Sequence, residues 1–466
     1  MNRTEILEGP IARTLLRLAA PVLVVLAVQT LVGVAETWFV SFLGTSAIAG
    51  VALVFPLFML MTMMSNGGMG GGVSSAVARA LGAGRREDAQ ALVVHAIAIA
   101  AVFGTLFTAV AWLAGPSLYR ALGANGATLA NALLYSNILF AGAIPAWILN
   151  LLGSALRGAG NVRVPATVTV CGALATLILS PILVLGWGPV RGFGVAGAGM
   201  AMIAFNVTGA VALALYMRSP SSPLRLRPAR LEWRLFADIL RVGLLSAVGT
   251  IVTNLTVVVT TAFVGPLGSD AIAAYGLASR LDYVLLPLVF AIGTASVTVV
   301  GTNIGAGNHQ RARTAAWTAA LISAAIVETI GIAAATVPHT WMELFSKDPH
   351  VIGYGVDYLR RVAPVYGFFA LGFSLYFASQ GAGRVVWPFS AGVARLATVA
   401  VIGGCWVGPW HGSLTGLFWI VAASQLLYGG VNAIAMAAGW SWGVPPRDAV
   451  AMASRPVNEV RAAQGS

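Results

Sequence analysis

The sequence predicts an all-α integral membrane protein with twelve transmembrane helices, arranged as two six-helix lobes related by a parallel internal repeat. Three observations carry that prediction. Of the 466 residues, 58% are hydrophobic and 9% are charged, whereas a soluble chain is about a quarter charged. Apolar runs of more than about 18 residues, long enough to cross a bilayer core of ~30 Å, recur along the whole length. The second half of the chain also repeats motifs of the first in the same order.

Clusters of Gly, Pro, Arg and Asp set the ends of the runs. The first six spans are expected near 17–43, 46–78, 89–115, 127–153, 163–187 and 193–217, and the second six near 236–264, 270–303, 311–337, 351–379, 385–408 and 412–440. Several exceed the minimum, which implies tilt or extension beyond the bilayer. The leading MNRTEILEGPIART is polar. The run after it is longer than a signal-peptide core and lacks a small-residue cleavage site, so it is expected to stay as the first span. Residues 219–234, SPSSPLRLRPARLEWR, break the apolar pattern and form the linker between the halves. The expected division is 1–218 for the N-terminal lobe, 219–234 for a cytoplasmic linker, 235–445 for the C-terminal lobe and 446–466 for a cytoplasmic tail.

The formal charge of +12, from 27 Lys and Arg against 15 Asp and Glu, has the magnitude of a nucleic-acid binder. Its distribution excludes that class. The basic residues sit singly or in small groups between apolar runs, with no interleaved stacking aromatics. An inside N-terminus places about twenty of them on the cytoplasmic face, among them Arg79, Arg85, Arg86, Arg157, Arg163, Arg225, Arg227 and Arg311. Only Arg120, Arg191 and Lys347 fall in outer loops. Both termini are then cytoplasmic, as an even span count requires.

The repeat appears at a shift of about 223 residues. LGTSAIAG at 43–50 matches LGSDAIAA at 267–274, GAG at 82–84 matches GAG at 305–307, and RGAGNVRVP at 157–165 matches QGAGRVVWP at 380–388. Six spans per repeat give both halves the same orientation, related by an axis along the membrane normal, with a transport path between them.

Glu36 in LVGVAETWFV is the most informative residue, a carboxylate roughly 10 Å inside an apolar span. It costs a few kcal/mol unless it is paired or protonated, which makes it a candidate proton carrier; a packing Glu satisfied by hydroxyls or backbone is the structural alternative. Pro21 removes a backbone hydrogen bond within the first span and is a candidate hinge or a static kink. Arg280 and Asp282, two residues apart, point to different helix faces; either is a candidate for the central cavity. Phe55, Met59 and Met63 form part of a soft apolar surface suited to varied ligands, or ordinary packing. Asp357 is spaced for a salt bridge with Arg360 or Arg361, while Glu328 and Arg395 lie among apolar residues with no partner legible in the sequence.

Other chemistries lack their residues. Cys171 and Cys405 both fall inside apolar runs, and the five histidines have no metal-binding spacing. Neither a GxSxG element nor a phosphate loop is present. An integral membrane enzyme would need clustered His, Asp or Ser, which the chain does not show.

The order and spacing of GPIARTLLRLAAPVL, AETWFVSFLGTSAIAG, ARALGAGRREDA, LRGAGNVRVP with its second-half copy, and AYGLASRLDYVLLPL resemble the multidrug and toxic compound extrusion (MATE) transporters over nearly the whole chain. The resemblance implies that Glu36, where the family usually has Asp, is a proton or cation site of the N-terminal lobe. It also implies that Pro21 is the family's first-helix proline. Thr176 and Ser180, before Pro181, stand where the family often has Asn and Asp, and Met202 stands where a Thr often sits. Thr253 and Phe369 lie near positions that are acidic in the NorM-like branch, so the chain looks closer to the DinF-like branch. A hard cation wants several oxygen ligands and a proton needs one carboxylate, so the expected coupling ion is a proton, with sodium the alternative.

The expected function is efflux of organic, cationic or amphipathic compounds by alternating access, without a resident cofactor, by a monomer in the bacterial inner membrane. The expected partners are a small-molecule substrate and the bilayer, not nucleic acid. A flippase or exporter of a lipid-linked or metabolite substrate is the alternative. Sliding Glu36 by 224 residues lands on Thr260, so the coupling charge is expected in the first lobe alone.

Overall fold

The computed structural model describes residues 1, 3–187, 190–440 and 442, and the expected tail at 446–466 lies outside the described residues. Twelve apolar spans are present among them: α1 (Ile11–Ser41), α2 (Thr45–Gly82), α3 (Arg86–Ala121), α4 (Gly126–Ala141 and Ala143–Gly158), α5 (Arg163–Leu185), α6 (Val195–Arg218), α7 (Trp233–Leu267), α8 (Ser269–Gly305), α9 (His309–Thr336), α10 (Pro349–Ala382), α11 (Val386–Val407) and α12 (Leu414–Ala437). All twelve overlap their expected positions. The ends differ where polar or Pro residues were read as stops. Pro10 occupies the N-cap of α1, so Arg13, Thr14 and Arg17 continue the helix outward by one and a half turns. α3 runs on through Pro116 to Ala121, its last turns held by buried Tyr119, whose hydroxyl is 2.7 Å from Ser136 Oγ. A short helix, Arg3–Glu8, and a two-residue antiparallel pair, Gly186–Trp187 with Val190–Arg191, were not expected.

Five spans expected to be regular are not. α4 bends by 48° at Gly142, where a Cβ would lie 2.6 Å from Ile203 Cγ1 of α6. α8 has a turn at Ser279, and α10 passes through a short 3-10 segment, Ala363–Val365, that contains Pro364. α2 and α11 each contain a π segment, Met64–Met69 and Thr398–Gly403. Hydrophobic pattern reports a span, but a break is set by what packs against it.

The lobes meet at the end of the bundle that carries the basic loops, through contacts that come in repeat-related pairs. Ser75 Oγ donates to Gln380 O, and Thr298 Oγ1 donates to Arg157 O at 2.9 Å; the 223-residue shift carries Ser75 onto Thr298 and Arg157 onto Gln380. Gly82 lies on the backbone of Thr302, and its repeat mate Gly305 lies on the carbonyl of Arg79. Gly158 faces Ser74 O, and its mate Gly381 faces Val297 O. Two of the three motif pairs that betrayed the repeat, the GAG pair and RGAGNVRVP with its copy, thus lie at the seam between the halves, where glycine allows backbones to approach so closely. α7 adds to the seam: a Cβ at Gly72 would lie 2.7 Å from Ile239 O, and one at Gly68 2.8 Å from Ala247 Cα. Leu15, Leu18 and Ala19 of α1 join the apolar cluster of Ala291, Ile292 and Ala295 of α8 on the other side.

Gln380 is fully buried in this seam, where its Nε2 donates to Tyr376 Oη at 2.8 Å, Ser246 Oγ at 3.0 Å and Gly67 O at 3.2 Å. Arg79 closes the rim on Asp238 of α7 at 2.6 Å. Because the carboxylate is half-exposed, that ion pair is worth no more than about 1 kcal/mol. Asp238→Asn is therefore expected to loosen the seam by less than about fivefold in population, read from spin-label distances between the lobes. His95 fixes the end of the linker: its Nδ1 is 2.8 Å from Ala91 O, and its Nε2 accepts from Glu232 N at 2.8 Å.

At the other end the lobes part. The first half of α2, Thr45–Met63, packs on α4 of its own lobe, and the first half of α8, Ser269–Ala278, packs on α10. Met63 Sδ, 3.6 Å from Asn254 Nδ2 of α7, marks the floor where the lobes first touch. The result is a cleft closed by the seam and open at the end away from the basic loops.

Candidate functional site

In the N-terminal lobe, α1 passes from the seam to the cleft. Its buried residues run from Thr14 to Ala19, and the next is Val32. Pro21 falls at that change of environment, in a helix that continues uninterrupted, so it has not broken the span. Glu36 lies five residues before the end of α1, about 7.5 Å from it, shallower than the sequence suggests because the helix stops at Ser41. Its Oε1 is buried with no hydrogen-bond partner, and buried Tyr135 of α4 lies within its electrostatic reach. α1 packs along α5, whose Ser180 Oγ is also buried without a partner. Thr176 is committed elsewhere, donating from Oγ1 to Gly172 O at 2.9 Å, and Met202 packs against the apolar core of the lobe. Among the described residues the N-terminal candidates thus offer one carboxylate, Glu36, and one unpartnered hydroxyl, Ser180 Oγ. Among the described residues no three His, Cys, Asp or Glu side chains are grouped to hold a metal.

Of the apolar candidates, Phe55 is 54% exposed in the open half of α2, Met63 is at the cleft floor, and Met59 is partly buried between them. Arg280 and Asp282 separate as their spacing predicts. Arg280 is exposed, its guanidinium 5.8 Å from the Phe345 ring, and is not among the residues that line the pocket of Asp282. Asp282 lines a pocket of about 70 Å³ in the C-terminal lobe with Tyr275, Tyr366, Phe369, Arg395 and Gln425. Its Oδ2 accepts from Tyr358 Oη at 3.1 Å, and its Oδ1 is buried without a partner.

Three of the spans that line this pocket are irregular beside it: α8 near its turn at Ser279, α10 just after its 3-10 segment, and α11 just before its π segment. Irregular backbone at membrane depth is tolerated where it lines a cavity. The sequence left Arg395 without a partner and did not single out Gln425. The repeat holds the missing signal, since the 223-residue shift carries Met202 onto Gln425 and Gly172 of α5 onto Arg395. The second lobe thus brings two of its own charged residues, Asp282 and Arg395, into one pocket, on helices other than the one that carries Glu36 in the first lobe.

The remaining candidates are structural. Arg361 Nη1 pairs with Asp357 Oδ1, and Thr415 Oγ1 donates to Asp357 Oδ2 at 2.8 Å. Glu328 Oε2 accepts from Gly367 N at 2.6 Å and so caps the half of α10 that follows the 3-10 segment. Glu328→Ala is expected to cost about 1–2 kcal/mol of stability, read as a lowered melting temperature in detergent, with transport per folded molecule unchanged.

A two-lobe bundle with a glycine seam at one end, a cleft at the other and a buried acid in its wall defines a membrane transporter fold. The chain belongs to the MatE family, whose profile matches it twice, at residues 21–182 and 246–406, once in each lobe. Its relatives are transporters. An FAD transporter of Shewanella oneidensis is 28% identical over 81% of this chain and 83% of its own length. The probable multidrug resistance protein NorM of Thermotoga maritima is 25% identical over 85% of this chain and 89% of its own. A solved multidrug resistance MATE family transporter of the MOP superfamily, in an outward-facing conformation, superposes with a TM-score of 0.83 at 24% identity, covering 94% of this chain and 98% of that one.

Proposed function

We propose that the chain is a secondary active exporter that exchanges protons for organic compounds by alternating access, as a monomer in the bacterial inner membrane with both termini cytoplasmic. One observation carries the reading: Glu36, with an unpartnered buried carboxylate oxygen, sits in the half of α1 that leaves the seam for the cleft. The surplus of basic residues at the seam end supports an inside position for that end, with the cleft facing outward. A proton entering from outside neutralises Glu36. That favours release of the compound and rearrangement of α1 about Pro21, and opening of the seam then releases the proton inward. Coupling requires only that proton and compound favour different states. The sparse oxygen set around Glu36 supports a proton over sodium, in keeping with the DinF-like features of the sequence.

Liposomes containing the purified chain, loaded with a fluorescent organic cation and given either a pH or a sodium gradient, test the reading. Transport driven by the pH gradient and indifferent to sodium is expected, and the reverse would refute proton coupling. A second reading, export of a metabolite such as a flavin nucleotide, is favoured by the likeness to the FAD transporter and tested in the same vesicles with FAD as cargo.

A further inference from the structure

We infer that the pocket in the C-terminal lobe is a receptor for an acidic group, carboxylate or phosphate, of the transported compound, and that Arg395 binds it. The inference rests on the export reading above and names a substrate class for it. Among the described residues, Arg395 has no carboxylate within salt-bridge distance and donates no hydrogen bond, and its Nε is buried without a partner. The other arginines within the bundle are committed. Arg79 pairs with Asp238, Arg361 pairs with Asp357, and Arg157 donates to Asn66 Oδ1 and Ser154 Oγ, each at 2.7 Å.

The guanidinium of Arg395 lies over two aromatic rings. Its Cζ lies 4.8 Å from the ring of Phe369 and 5.9 Å from that of Tyr428. Ring contacts fix the plane of a guanidinium and leave its N–H edge free, the edge that binds carboxylate or phosphate in a bidentate fork. The cavity beside it, about 70 Å³, has room for roughly two waters at ~30 Å³ each, or one compact acidic group. The body of the compound would stay in the cleft, past Tyr283, which is 58% exposed at the pocket rim.

Asp282 lies in the same pocket, within electrostatic reach of Arg395 but not paired with it. Its Oδ1, beside the Tyr366 hydroxyl, and the unpartnered Oε1 of Gln425 are hydrogen-bond acceptors, so they suit an N–H or O–H next to the acidic group. Tyr275, Tyr283, Tyr358, Tyr366 and Tyr428 are the other titratable groups facing this cluster. The N-terminal lobe has no counterpart, because Gly172 and Met202 occupy the repeat positions of Arg395 and Gln425. The two lobes then divide the work: Glu36 takes the proton and the second lobe takes the acidic group.

Flavin mononucleotide and riboflavin differ by one phosphate, and their fluorescence reports binding to the full chain purified in maltoside detergent, with no gradient imposed. Flavin mononucleotide is expected to bind about tenfold more tightly than riboflavin, the difference made by one charge-assisted interaction. Arg395→Gln should bring the two within twofold while riboflavin affinity stays put, Arg395→Lys should restore part of the gap, and Asp282→Asn should widen it. Equal affinities in the wild type overturn the inference whether or not any variant folds. Displacement of flavin mononucleotide by added phosphatidylglycerol would assign the pocket to a lipid phosphate and overturn it as well. Loss of proton coupling in vesicles, with this preference intact, would count against the Glu36 reading alone.

Discussion

Glu36→Gln will lower pH-driven transport in liposomes by on the order of 100-fold, while equilibrium binding of the transported compound changes little. Gln keeps the shape of the side chain and removes its ability to gain and lose a proton. A ligand that no longer distinguishes the two conformations shifts nothing, so the gradient loses its hold on the lobes. The residual transport should also lose its dependence on pH, since the titrating group is gone. Glu36→Asp retains the carboxylate, which the MATE resemblance places there in most relatives, and should preserve coupling. Proton-driven transport that survives in Glu36→Gln would move the coupling site elsewhere, with Asp282 next in line as the other carboxylate among the described residues that has an unpartnered buried oxygen.

Gly305→Val will open the seam. A Cβ at Gly305 would sit inside contact distance of the Arg79 carbonyl, a backbone atom that cannot rotate away, and Val adds two further methyl groups. Overpacking costs about 2 kcal/mol, enough to shift the populations of the two conformations roughly 30-fold towards the one in which this end is apart. Spin labels at Thr45 and Ser269, exposed repeat mates on the open halves of α2 and α8, should move closer as the cleft closes. Transport should fall with them, since a transporter held in one state does not cycle. Gly276→Ala is the control: a Cβ there meets nothing within 4 Å, and neither the distances nor the rate should change. Unmoved labels in Gly305→Val would mean that the glycine seam is not the element that opens.

The sequence made some features legible because each is a local quantity. The twelve spans follow from hydropathy and length, since every backbone polar group in a bilayer must be satisfied within its own helix. The repeat follows from short identities at a fixed shift, and Glu36 stands out because a carboxylate in an apolar run needs a reason. Asp357 with Arg361 was legible from i,i+4 spacing alone.

The rest depended on which helices meet. Arg280 and Asp282 look equivalent in sequence, yet one is exposed over Phe345 and the other buried beside Tyr358. Glu328 finds its partner in a backbone N–H on α10, 39 residues away, exposed by a break that hydropathy does not report. Arg395 acquires meaning only from Phe369 on α10 and Tyr428 on α12, whose rings lie against it and offer its buried Nε no acceptor.

By itself, the sequence determined that this chain crosses the membrane twelve times in two like halves with an acid in the first, because periodicity, length and the cost of a charge in lipid are properties of a segment. Tertiary structure alone decided where the halves close, what the repeated glycines are for, and that the second lobe holds an uncommitted guanidinium. Those depend on close backbone approach and on the absence of a partner, which only packing between distant segments can supply or withhold.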